Sequence, residues 1–134
     1  MTPYETVRAH YDASACGGFA GMMAPIDDET EWVEQAGLPF GGTYVGRQAV
    51  IDVPFWMIPV LFDGSAFTLD ELLDAGASVI AIGRYAATVR ATGRRFDVPV
   101  VHVWSFRAGQ LTRFRNFTDS ALIAAAASAQ VTCP

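Results

Sequence analysis

SVIAIGRYAATVRAT (Ser78–Thr92), RRFDVPVVHVWSFR (Arg94–Arg107) and QLTRFRNFT (Gln110–Thr118) decide the fold. Each stretch is rich in β-branched and aromatic residues and alternates in polarity, as strands with two different faces do. Turn signals separate them at Thr92-Gly93 and Ala108-Gly109. Ala66–Leu73 reads the same way and is set off by Ala75-Gly76-Ala77. Consecutive strands joined by such short turns form an antiparallel meander.

Upstream the pattern changes. Thr2 can cap a helix that has Pro3 at its first position and Glu5 as capping-box partner. Tyr4, Val7, Tyr11 and Ala15 fall on one face of it, and Gly17-Gly18 ends it. His10 is placed off that face, at the surface. A short second helix covers Phe19 to Ala24. Thr30 to Gln35 reads as a strand with Trp32 and Glu34 on one face and Glu31 and Val33 on the other. Gly37 to Gly46 is a loop with a short strand at Thr43–Val45. Gly46 to Phe62 reads as a helix that Pro54 and Pro59 must kink or split. Ser120 to Gln130 closes the chain as a helix capped by Asp119 or Ser120. Helices segregated from a meander make a single α+β domain over residues 1–134.

Composition narrows the function. The chain has 134 residues, 51% hydrophobic and 17% charged, enough apolar surface for one core. All 9 basic residues are arginine against 14 acidic ones, a net charge of −5. An acidic chain is a poor nucleic-acid binder, and without lysine there is no Schiff-base chemistry. Cys16 and Cys133 have no partner at metal-ligand spacing and read as free thiols. No signal peptide or bilayer-length apolar run is visible, so a soluble cytoplasmic protein is expected.

Gly46-Arg47-Gln48-Ala49-Val50 after an aromatic-Gly loop, Arg90-Ala91-Thr92-Gly93-Arg94, His102-Val103-Trp104-Ser105-Phe106 and Phe114-Arg115-Asn116-Phe117-Thr118-Asp119 together resemble the SnoaL-like family. That family lies in the nuclear transport factor 2-like superfamily, with ketosteroid isomerase, limonene epoxide hydrolase and the polyketide cyclases. The resemblance implies a cone-shaped, curved antiparallel sheet wrapped around N-terminal helices and enclosing a pocket. It also implies an inventory of site positions. Tyr11 matches the oxyanion-hole tyrosine of the isomerase, Glu34 its catalytic base and His102 its oxyanion-hole acid. Asn116 stands where hydrolase and cyclases carry an aspartate, and Tyr85 and Ala87 stand where the hydrolase has part of its Asp-Arg-Asp relay. A mechanism copied from those two relatives is therefore not supported.

The residues themselves point the same way. A carboxylate at Glu34 sharing a face with Trp32 is suited to a dry pocket, where desolvation raises its pKa into the range of a general base. His102 alternates with Val100, Trp104 and Phe106 and can donate to a developing enolate. Tyr11 can donate a second hydrogen bond to the same oxygen. Trp32, Tyr85, Trp104 and Phe114 form an aromatic lining with room over Ala81, Gly83 and Ala87, and Asn116 can orient a polar group of a substrate. Ile80, Ile82, Val101 and Val103 make the opposite face apolar, which predicts a homodimer.

The expected function is a cofactor-free, metal-free isomerase or aldol-type cyclase acting on an apolar, steroid-like or polyketide-like carbonyl compound. Epoxide opening by the same residues, a non-catalytic small-ligand-binding domain and a protein-interaction domain are the alternatives. No nucleic acid or membrane partner is expected.

Overall fold

The structure, a computed structural model, describes residues 1–128. Helix α1 (Pro3–Ala15) starts with the expected capping box. The Thr2 hydroxyl accepts from the Glu5 N–H at 3.1 Å, and the Glu5 carboxylate faces the Thr2 N–H in return. Gly17 then takes a positive φ of 71° and turns the chain into α2 (Phe19–Met23). The strands are β1 (Glu31–Glu34), β2 (Gly42–Val45), β3 (Phe62–Ala75), β4 (Ser78–Val89), β5 (Arg95–Arg107) and β6 (Gln110–Thr118). Between β2 and β3 lie α3 (Arg47–Val50), a π-helical turn over Ile51–Phe55 and α4 (Trp56–Leu61). Pro54 sits in the π turn that interrupts the α-helical run, whereas Pro59 lies inside α4, which continues through it to Leu61. The Pro59 carbonyl accepts from Arg90 Nε at 3.0 Å. Helix α5 (Ser120–Ala127) is capped by Asp119, whose carboxylate accepts from the Leu122 N–H at 3.0 Å. The expected extension to Gln130, like Cys133, lies outside the described residues.

The sheet runs in the order β2-β1-β6-β5-β4-β3. The meander from β3 to β6 is antiparallel, but β1 and β6 pair in parallel. The expected antiparallel sheet is present, with this one parallel pair making it mixed. Tight turns force antiparallel pairing only between neighbours in sequence, and β1 and β6 are separated by most of the chain. The parallel register sets Trp32 beside Phe114 and Glu34 beside Asn116.

Directly paired residues share a face. One face carries Glu34, Asn116, His102 and Ala81 in a row across four strands, and Trp32, Phe114, Trp104 and Val79 in the next row. Helix α1 covers this face, with Val7, His10 and Tyr11 buried against it. Strand β3 carries register shifts between Asp63 and Ala66 and between Leu69 and Glu71, which bend it. Gly83 lies opposite the second shift, where a Cβ would collide with the Thr68 carbonyl and crowd the Phe67 ring. Only glycine allows that approach.

The other face presents Leu73, Ile80, Val103, Arg115 and Val33 in one row and Glu71, Ile82, Val101 and Phe117 in another, an apolar centre with charged residues among it. Phe117 is 46% exposed and Leu73 44%. Arg84 also lies outside, paired with Asp97 at 2.9 Å. Among the described residues, no helix is long and apolar enough to cross a membrane.

Candidate active site

Between α1, the α3–α4 segment and the inner face of the sheet lies a cavity of about 260 Å³. Glu34, His102, Tyr11, Trp32, Tyr85, Phe114 and Asn116 all line it. Trp104 does not. It is 0% exposed and stands behind Tyr11, with its indole N–H donating to the phenol oxygen at 2.9 Å. It stands on the inner face beside Phe114, as strand alternation predicts, with Tyr11 of α1 laid against it.

Glu34 is 6% exposed. Its Oε1 accepts from the Trp32 indole N–H and its Oε2 from the Asn116 amide, each at 2.8 Å. Burial pushes its carboxyl above the usual range, and the two N–H donors, Asn116 first, pull it partly back. The result is a carboxylate fixed in orientation by two neutral donors, with no cation among the described residues paired to it. The Asn116 Oδ1 is buried without a partner among the described residues.

Tyr11 and His102 meet at the other pole. The phenol oxygen lies 2.6 Å from His102 Nδ1, and the two ring planes are nearly parallel at 8°. Burial, and secondarily His10, lowers the His102 pKa to about 3, so its imidazole is neutral at pH 7. Burial raises the Tyr11 phenol well above its ordinary value, and the Trp104 N–H offsets part of that. The phenol is neutral as well. Phe67 covers the pair, stacked 4.9 Å from His102 and 5.3 Å from Tyr11.

His10 corrects the sequence reading. It was expected at the surface, yet it is 6% exposed and lines the cavity. It stands one turn from Val7 on the buried stripe of α1. Its Nδ1 lies 2.8 Å from the Met22 carbonyl, which can only accept, so Nδ1 carries the ring proton. Burial lowers its pKa to about 4 despite that bond.

Sequence reading also missed Phe67, Phe55, Phe40, Ile58 and Ser65 in the wall. Phe67 had a signal, since it alternates with Leu69 in a stretch already read as a strand. Phe55 and Ile58 had none, because the split at Pro54 sets which way they turn. Ser65 meets Tyr85 hydroxyl to hydroxyl at the bulged start of β3. Burial raises the Tyr85 phenol to about 12, with the Ser65 hydroxyl opposing. Among the described residues, no group of three or more His, Cys, Asp or Glu side chains is placed to hold a metal ion.

The SnoaL-like domain profile matches residues 7–114, from the buried face of α1 to the aromatic beside Glu34. The chain belongs to the SnoaL-like domain family. Its fold is shared over nearly its whole length with an NTF2-like protein from Burkholderia thailandensis, at TM-score 0.93 and 43% identity, covering 96% of this chain and 99% of that one. TerC, co-crystallised with polyporic acid, has the same fold at TM-score 0.81 and 22% identity, covering 93% and 97%. In sequence, the SnoaL-like chain is 34% identical over 73 residues to patulin synthesis protein F of Aspergillus clavatus, over 53% of this chain. The match spans about a third of that relative's length.

Proposed function

We propose that this SnoaL-like domain abstracts a proton next to a carbonyl group in a neutral, apolar small molecule, with Glu34 as the base. The observation that carries the reading is the buried Glu34 carboxylate, fixed by Trp32 and Asn116 on a cavity wall that also bears neutral His102. Among the described residues no cation pairs with this carboxylate, which is 6% exposed and held by neutral donors alone. Desolvation makes it a stronger base, and the absence of a cation on it leaves that basicity available. His102 donates to the oxygen on which enolate charge grows. Stacked Trp32 and Phe114, 3.7 Å apart, form a flat wall suited to a planar ring system.

Return of the proton at another carbon makes the protein an isomerase. Capture of the enolate by a second carbonyl of the same molecule makes it an aldol-type cyclase. Proton transfer of this kind needs no redox group. The apolar outer face of the sheet supports the homodimer as the working assembly. The test is turnover of cyclic enones and polyketide-like diketones by the wild type and Glu34→Gln. The reading expects kcat to fall by about 10²–10⁴-fold in the variant, with planar phenols, which mimic the enolate, still binding. Equal turnover by both proteins would overturn it. Binding by both with turnover by neither would assign the pocket to ligand binding.

A further inference from the structure

We infer that Tyr11 and Trp104 are positioning residues that lock His102 in one tautomer, so that His102 Nε2–H, and not the Tyr11 phenol, meets the ligand oxygen. The effect on catalysis rests on the proton-transfer reading above, whereas the tautomer itself does not.

The direction of each hydrogen bond follows from what the groups can do. The Trp104 indole nitrogen can only donate, and it lies 2.9 Å from the Tyr11 oxygen. The phenol therefore accepts there. It has one proton of its own and one remaining neighbour, His102 Nδ1 at 2.6 Å. If Nδ1 carried a proton, the phenol would accept twice, and its own hydrogen would find no acceptor among the described residues. The satisfied chain runs Trp104 N–H to Tyr11 oxygen, then Tyr11 O–H to Nδ1. A neutral imidazole whose Nδ1 accepts carries its hydrogen on Nε2. No residue among those described hydrogen-bonds to Nε2, so that N–H remains for a ligand in the cavity that His102 lines.

The surroundings hold this arrangement. Phe67 stacks on both rings, with interplanar angles of 17° to His102 and 24° to Tyr11. Trp104 is fully buried, so its donor has no competing acceptor in solvent. His10 packs edge-on to both Tyr11 and Trp104, at 5.0 and 4.6 Å, and is held in the opposite tautomer by the Met22 carbonyl. The cavity is thus flanked by two neutral histidines with protons on different nitrogens. Tyr11 spends its only proton inside the protein and has none to give a substrate.

The test is long-range proton–nitrogen NMR of protein labelled with ¹⁵N-histidine, at pH 7. The wild type should show His102 with protonated Nε2 and bare Nδ1, and His10 with the reverse. Tyr11→Phe keeps the ring and removes the proton donor, so the two His102 nitrogen shifts should move towards each other as tautomers mix. Trp104→Phe should lengthen the Tyr11–His102 bond without reversing the tautomer. Protonated Nδ1 on His102 in the wild type would overturn the inference, as would an unchanged His102 spectrum in a folded Tyr11→Phe. The wild-type spectrum decides the tautomer even if a variant fails to fold. On any substrate turned over, Tyr11→Phe should lower kcat by about tenfold with KM little changed, less than the 10²–10³-fold loss expected for a direct oxyanion donor.

Discussion

The Asn116 amide nitrogen lies 2.8 Å from Glu34 Oε2, and the same amide's oxygen is buried without a partner among the described residues. Asn116 is thus oriented by the carboxylate it serves. The N–H stabilises ionised Glu34, so its removal disfavours the charged form. In a pH–rate profile the activity rises as Glu34 ionises. Asn116→Leu should move that rise to higher pH, and Asn116→Asp further still, because a second carboxylate beside the first cannot share the site in charged form. A rise at unchanged pH in both variants would separate Asn116 from the base.

Stability should depend on the two buried histidines. Their pKa values are lowered on folding from 6.5, to about 4 for His10 and about 3 for His102. Stability from keeping them neutral is fully present above pH 6.5 and is lost as pH falls towards 4 and then 3. Glu34 has the opposite sign. Its raised pKa favours folding at low pH, and that contribution fades as pH rises above 4.5. Urea titrations between pH 7 and 4 should show stability falling by up to about 1.4 kcal/mol per pH unit for each buried imidazole. His10→Gln should flatten that slope, and an unchanged slope would place His10 in solvent.

Gly83→Ala should destabilise the fold by about 1–3 kcal/mol or more, since the new methyl meets the Thr68 backbone and not a yielding side chain. Chemical denaturation checks the loss. Because Phe67 stands in the same place, the Tyr11–His102 pair should lose its cover in this variant. Asp119→Ala should cost α5 only its cap, about 1 kcal/mol.

The apolar outer face of the sheet gives an assembly prediction. Val103 and Phe117 stand there in adjacent rows, and Phe117 is 46% exposed. Light scattering after size exclusion should give a dimer for the wild type and a monomer for Val103→Arg with Phe117→Arg. A wild-type monomer at micromolar concentration would refute the homodimer.

Local chemistry made much of this legible in the sequence. The Thr2 capping box, the meander turns and the alternation that puts Trp32 with Glu34 and His102 with Asn116's face are all short-range signals. What escaped is long-range or depends on where one element lands on another. The parallel β1–β6 pair joins distant segments, and no turn records it. His10 and Tyr11 are adjacent in sequence, yet both turn inward because the buried stripe of α1 is wider than the one read from Tyr4, Val7, Tyr11 and Ala15. Trp104 was read as lining because strand alternation shows the face of a residue but not the helix laid over it. The Phe67 ring packs over Gly83, the partner of Leu69, where a side chain would crowd it, and that approach follows from the bulged register of β3.

The central claim is that Glu34 takes a proton from carbon beside a carbonyl. Its most direct measurement is deuterium uptake at that carbon in heavy water, for cyclic enones and polyketide-like ketones shown to bind, with wild type and Glu34→Gln in parallel. The account predicts uptake by the wild type that vanishes in the variant. Bound ketones that gain no deuterium from the wild type, or gain it equally from Glu34→Gln, would contradict it.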